Sequence, residues 1–305
     1  MSDEKKKNFE TEFSFNFSGL ADKISEVVGN VGEEPETSYF DEKIGEATVA
    51  KVEISGGMGK LHVHPVEDET LLAQVETKHV GKMNYVVSQS GNGAGKNVKI
   101  ENQVMKGGFR GIIGGMGKKD LYVDAALTTK IPLELKVETG VGEALVDVRD
   151  LSLISAFVEG GVGPATVYLP EGDYKAKVEA GVGPLTVNVP AHLKSTLRVE
   201  GGVGPCTVNV PAGADLTLDV EAGVGPMVIR LAAGTPFMVD YEGGLGPFHR
   251  PEGLVQKSKK VWQTEGYDLA SESVFVKLEG GVGPCKILFV EDEGAAEKAK
   301  PKNDE

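Results

Sequence analysis

The sequence predicts an all-β chain: a single-chain β-solenoid built from coils of about 21 residues, with a short N-terminal helix cap. Three observations carry that expectation. A segment repeats along the chain, apolar and polar residues alternate within it, and a glycine excess falls at fixed points of it. Glycine accounts for 41 of 305 residues, nearly twice the ordinary share of about 7%, and no collagen period explains the surplus.

The repeat is plainest in the C-terminal half, where VEGGVGPATVYLP, VEAGVGPLTVNVP, VEGGVGPCTVNVP, VEAGVGPMVIRLA, YEGGLGPFHRPEG and LEGGVGPCKILFV share one pattern. Its first corner glycines are Gly161, Gly181, Gly202, Gly223, Gly244 and Gly281, with steps of 20, 21, 21, 21 and 37 residues. A copy without proline has its corner at Gly140, and weaker echoes occur at Gly57 and Gly115. At about 3.3 Å per residue, one period has room for two short strands and two turns. In the strand after each corner, the columns Ala165/Leu185/Cys206/Met227/Cys285 and Val167/Val187/Val208/Ile229/Ile287 are apolar and two residues apart. They should face inward, with Thr166, Thr186 and Thr207 between them facing out. Leu216, Leu218 and Val220 set the same period in the other strand. Period two in both strands excludes a helical repeat. The corner glycines should sit where stacked coils leave no space for a Cβ, and the proline that follows suits the first residue of a strand.

Outside the repeat the reading is coarser. Residues 1–45 are expected to hold a short strand, an amphipathic helix with Leu20, Ile24, Val27, Val28 and Val31 on one face, and a linker over 29–45. The helix either caps the solenoid or touches a membrane surface, and its mixed charge favours the cap. Residues 46–290 form the solenoid domain. Residues 291–305 read as a charged, disordered tail.

Composition narrows the function. A net charge of −14 argues against nucleic acid, no apolar run is long enough for an integral membrane segment, and the start lacks the apolar stretch of a secretory signal, so a cytoplasmic place is expected, with a peripheral membrane contact left open. GNGAGKN (91–97) approaches a phosphate-binding loop but has Ser90 and Asn97 where that motif needs Gly and Ser/Thr, and it reads as a hairpin tip. His62 and His64 project from one strand face, yet no third ligand of recognisable spacing accompanies them, so a plain surface pair is the expectation. Cys206 and Cys285 fall in one inward column, several coils apart, as core filler. No catalytic constellation and no cofactor site emerge.

Two features stand out against that background. Glu138, Glu159, Glu179, Glu200, Glu221, Glu242 and Glu279 form a column that stacking would place at about 5 Å intervals, costing roughly 1 kcal/mol per neighbouring pair in water. Solvated carboxylates are the expectation, a Ca²⁺ or cationic-partner ladder the alternative. The 249–276 insertion carries Trp262 with Lys257, Lys259 and Lys260, a lysine-rich loop where a partner could dock.

The ordered phrases GGMGKLHVHP, HVGKMNYVVSQSGNG, TTKIPLELKVETGVGEALVDVRDLSLISAFVEGGVG and WQTEGYDLASESVFVKLEGGVG carry a family resemblance over roughly residues 46–290. The chain resembles the toastrack β-solenoid domain of the LiaF-like cell-wall-active antibiotics response proteins and related adhesin-type domains (DUF4097- and DUF2154-like). The resemblance implies a non-enzymatic bacterial module for envelope stress or surface interaction, with a protein partner and no catalytic residues. Two other functions stay open at this point: a self-assembling solenoid filament, and a carbohydrate-active or carbohydrate-binding β-helix with a site on the 107–117 or 249–276 loop.

Overall fold

The computed structural model describes residues 34–103 and 120–291. The proposed helix cap, the 107–117 loop, the Gly115 echo and the charged tail lie outside these residues. Seven strands open the chain: β1 (Glu36–Lys43), β2 (Val49–Ser55), β3 (Lys60–Pro65), β4 (Leu71–His79), β5 (Lys82–Ser90), β6 (Gly95–Gln103) and β7 (Tyr122–Leu127). Five two-strand coils follow: β8 (Leu133–Glu138) with β9 (Ala144–Asp147), β10 (Leu153–Glu159) with β11 (Ala165–Tyr168), β12 (Lys175–Glu179) with β13 (Leu185–Asn188), β14 (Lys194–Glu200) with β15 (Cys206–Val210), and β16 (Asp215–Glu221) with β17 (Met227–Ala232). The chain ends with β18 (Phe237–Glu242), β19 (Phe248–His249), β20 (Val255–Gln256), β21 (Val261–Gln263), β22 (Val274–Glu279) and β23 (Cys285–Val290).

The strands make two sheets that face each other across one core, an all-β solenoid whose middle coils stack in parallel. Like pairs with like: Val158 opposes Val178, Val167 opposes Val187, and Glu159 opposes Glu179. The inward columns are buried as their period requires. Val167, Val187, Val208 and Ile229 have no exposed surface, and Leu197 and Leu218 do the same for the other sheet. Outward, Asn209 donates to the Asn188 side chain at 2.8 Å, an amide ladder made possible by the exact register of the coils.

The corners show why glycine is needed. Val162 N–H donates to Gly140 O at 2.8 Å, so neighbouring backbones touch there. A Cβ on Gly161 would lie 1.7 Å from that same oxygen. Except at Gly246, the second glycine of the corner is under a further constraint: Gly163, for example, has φ 135°, a conformation that L side chains rarely adopt. One residue before the first glycine, a Cβ is carried only at alternate coils. Gly160 and Gly201 would each bring a Cβ within 2.4 Å of a neighbouring backbone nitrogen, whereas Ala180 and Ala222 fill the coils between them.

Three expectations need correcting. Residues 36–43, read as linker, form β1, an edge strand antiparallel to β4. The sheet orders also depart from chain order: one runs β1-β4-β7-β3-β9-β11-β13-β15-β17-β23-β19, the other β20-β21-β18-β22-β16-β14-β12-β10-β8-β2-β6-β5. At the C-terminal end, the last coil (β22 and β23) inserts between β16/β17 and β18/β19. Aromatic side chains gather at the exchange. The β22 coil offers Val274, Val276 and Cys285, which match the inner columns, whereas β18 and β19 bring rings that suit an end wall. Phe237 meets Phe289 edge-on at 5.6 Å, and Tyr241 stacks on Phe248 at 4.0 Å. The third correction follows from the second. Cys206 and Cys285 are two strands apart, both opposite Met227, not several coils apart. At about 4.8 Å per strand they still exceed the roughly 7 Å limit for a disulfide.

The corner geometry predicts that Gly202→Ala destabilises the protein by about 3 kcal/mol or more, because its Cβ would sit 1.9 Å from Gly181 O and both sides are backbone. Gly243→Ala, whose Cβ would meet nothing nearer than a ring carbon at 3.9 Å, should stay within about 0.5 kcal/mol. Urea unfolding of the two variants checks both.

Candidate functional site

The glutamate column forms as stacking requires, in the spatial order Glu138, Glu159, Glu179, Glu200, Glu221, Glu279, Glu242. The residues two positions earlier on each strand answer it: Lys136, Phe157, Lys177, Arg198, Asp219, Lys277 and Asp240 share the same outer face. Lys136 pairs with Glu138 at 2.7 Å. Lys177 reaches Glu179, and also Glu200 at 3.0 Å. Arg198 donates to Glu200 at 2.6 Å and lies 3.5 Å from Glu221. Burial alone would push the Glu200 carboxyl up, but the hydrogen bonds from Lys177 and Arg198 outweigh it and hold the group below its ordinary value. Glu221 is the exception. Burial, and then the stacked carboxylates of Glu279 and Glu200, raise it. The cation column fails here, since Asp219 stands where Lys177 and Arg198 stand on the preceding coils.

At the corner itself the side chains are apolar. Val141, Val162, Val182, Val203, Val224, Val282 and Leu245 bridge one another in series, giving a ridge about 29 Å long at about 4.8 Å per coil. Val224 is 41% exposed, Val282 45% and Leu245 77%. The exposed prolines Pro164, Pro184, Pro205, Pro226, Pro284 and Pro247 run parallel to it, two residues on. Thus one corner of the solenoid presents a valine and a proline column, bordered on one side by the glutamate ladder.

The insertion folds against the C-terminal end. Strand β21 pairs antiparallel with β18, and Trp262 packs half-buried near Phe248, their ring centroids 5.9 Å apart. Arg250 covers the indole at 4.6 Å. Lys260 is spent on Glu242 at 2.9 Å, Lys257 lies 3.4 Å from Asp268, and Lys259 is exposed. The phosphate-loop-like stretch is the tip between antiparallel β5 and β6. Its Lys96 is buried and donates to Glu42 at 2.8 Å and to Lys43 O at 2.6 Å, so it ties β6 to β1 and is not offered to a ligand. Burial pushes the Cys206 thiol up to about 12 and raises that of Cys285 as well, which makes both poor nucleophiles. A groove of about 100 Å³ between Glu53, Lys99, Glu101, Lys136 and Glu138 is far smaller than a drug-sized ligand site.

The fold and these surfaces define a repeat-built β-solenoid, with no assembled catalytic group among the described residues. The chain belongs to the toast_rack family: the model for its N-terminal domain, Toast_rack_N (DUF2154), matches residues 28–188. A search of curated proteins finds no match. Among solved structures, the chain is similar to a putative cell adhesion protein from Clostridium sporogenes, at 17% identity and TM-score 0.42, covering 84% of this chain and 100% of that one. It is also similar to a putative adhesin from Bacteroides fragilis, at 14% identity and TM-score 0.37, covering 83% and 97%. A third, a putative adhesin from Parabacteroides distasonis, shares 10% identity at TM-score 0.28, covering 84% and 98%.

Opposite shifts in adjacent carboxyls give opposite pH effects. Glu200, held low, contributes stability that is present above its ordinary value of 4.5 and is lost as pH falls through the lower folded value. Glu200→Gln should therefore cost about 0.5–1 kcal/mol at pH 7. Glu221, held high, opposes folding once ionised, so Glu221→Gln should raise the melting temperature at pH 7 and lose that advantage below about pH 4.5. Melting curves of both variants at pH 7 and pH 4 provide the comparison. Trp262→Ala should cost about 3 kcal/mol through the end wall it packs, read by the same melts.

Proposed function

We propose that the protein is a rigid scaffold that binds a partner protein along its valine–proline corner, within a bacterial cell-envelope stress response. The exposed apolar ridge carries this reading. Monomeric proteins seldom leave a contiguous apolar strip on their surface unless something covers it, and the coil register makes this one continuous. The neighbouring carboxylates form a polar rim with a preference for a basic partner. Membership of the toast_rack family and the resemblance to antibiotic-response domains supply the envelope context. Buried free thiols suit a reducing compartment, so the working place proposed is the cytoplasmic side of the envelope.

Self-assembly into filaments is the second reading, and the sheet ends speak against it. Continuation needs matching parallel edges, but β1, β5 and β20 end their sheets antiparallel and β19 is only two residues long.

A photo-crosslinking residue at Val224 or Val282, expressed in the native bacterium, should trap one discrete partner, with more adduct after a cell-wall-active antibiotic. The same residue at Leu269, 92% exposed in the 249–276 insertion, should trap none. Adducts only to a second copy of the chain would support assembly instead. No ridge-specific adduct would reject the scaffold reading.

A further inference from the structure

Away from the ridge, the outer face of the other sheet brings together His62, His64 and Asp124, whose ligand atoms all lie within 4.8 Å of one another. The two histidines are alternate residues of β3, so the pleat sends both to the same face. Asp124 arrives from β7, directly opposite His62 in the parallel ladder. His62 Nδ1 lies 2.9 Å from Asp124 Oδ1, and His64 Nε2 lies 3.3 Å from Asp124 Oδ2. The imidazole rings lie side by side, 4.4 Å apart and 26° from parallel.

Hydrogen-bond inventory makes His64 the telling residue. Its Nδ1 is 2.9 Å from Pro65 O, a carbonyl that can only accept, so this nitrogen carries the hydrogen. In the neutral ring Nε2 then presents a lone pair to a carboxylate oxygen. Two acceptors at that distance need a proton or a cation between them. An imidazole N–H given to a backbone carbonyl is also the usual way in which a metal-binding histidine is oriented.

We propose that His62, His64 and Asp124 form a binding site for a first-row transition-metal dication of the Zn²⁺ class. Two imidazoles and one carboxylate suit such ions and not Ca²⁺ or Mg²⁺, which take oxygen ligands. Ligands about 2.0–2.1 Å from a tetrahedral ion stand roughly 3.4 Å apart, so the observed spacings need only small adjustment. Neighbouring groups do not compete. Glu76, opposite Asp124 on β4, accepts the Tyr122 hydroxyl, and Asp147 is held by Arg149 at 2.5 and 2.8 Å. Three protein ligands leave the fourth position to water or to a group from outside. All three stand on strands paired on both sides, which fixes their geometry.

The test is titration of the chelator-stripped full chain with Zn²⁺ by calorimetry, and with Co²⁺ by visible absorption. One equivalent of Zn²⁺ should bind, Co²⁺ should develop the bands of a nitrogen–oxygen site, and Zn²⁺ should raise the melting temperature. His62→Ala, His64→Ala and Asp124→Asn should each weaken binding by more than about tenfold, while His192→Ala and His249→Ala should not. Circular dichroism of each variant separates lost binding from lost fold. Absence of saturable one-to-one binding, or unchanged binding in the double histidine variant, would overturn the assignment. So would unchanged binding in Asp124→Asn, which would reduce the site to a chance pair of imidazoles.

Discussion

Everything in this solenoid depends on how closely two backbones can approach at the Gly-Val-Gly corner. The strands on either side can hydrogen-bond in register only if the corners between them also stack at strand spacing. There the carbonyl of one coil occupies the space in which a Cβ of the next would lie, 1.9 Å away at Gly181 and 2.1 Å at Gly223. Glycine is therefore required by the sheets and not by the turn alone. The valine between the glycines is left facing outward, so the same constraint that closes the coil also builds the exposed ridge.

Exact register has an electrostatic consequence. Apolar columns gain from having like on like, because identical side chains pack at a constant spacing. A carboxylate column loses by the same rule. The structure offsets the loss with a second column two residues earlier, where Lys136, Lys177 and Arg198 reach across to the glutamates of their own and neighbouring coils. Where Asp219 interrupts that column the compensation thins, and Glu279 and Glu200 act on Glu221 with Arg198 as the opposing cation. The ladder is thus a mostly neutralised face with one local defect, which is a different object from a chelating stack of free carboxylates.

How much of this was legible in the sequence differs from element to element. The coil, its inward columns and its corners could be read because they rest on local spacing: two residues within a strand, about 21 between coils. Spatial order could not. The stretches around Gly244 and Gly281 carry the same motif, and the contacts that distinguish them, Tyr241, Phe248 and Trp262 meeting across the end, have no sequence period. Strand β1 was missed for a related reason: it is an edge with alternate residues exposed, and ETSYFDEK has no clean apolar alternation. That Asp124 joins the two histidines was not legible either, since it lies 60 residues from His64 and reaches it only through the pairing of β3 with β7. Lys96 was ambiguous because a buried lysine and a phosphate-binding one look alike until Glu42 is seen beside it.

The exchanged end coils change what kind of repeat protein this is. In a solenoid stacked in chain order, the last coil touches only its predecessor and can fray without disturbing the rest. Here β22 and β23 are the last strands of the described chain and yet interior ones, with β16/β17 on one side and β18/β19 on the other. The N-terminal end repeats the device, since β2 and β3 lie between β6/β7 and β8/β9. At each end a coil is threaded between two others, so the terminal coil cannot pair until its inner neighbour has arrived. Such closure raises the sequence separation of the contacts and slows folding. In exchange, the ends do not open one coil at a time. Three of the four outermost strands, β1, β5 and β20, then turn antiparallel, and the fourth, β19, is parallel but only two residues long, so no full-length edge repeats the coil. The length of the corner ridge is accordingly set within one chain, and whatever binds along it meets a finite surface of about seven coils.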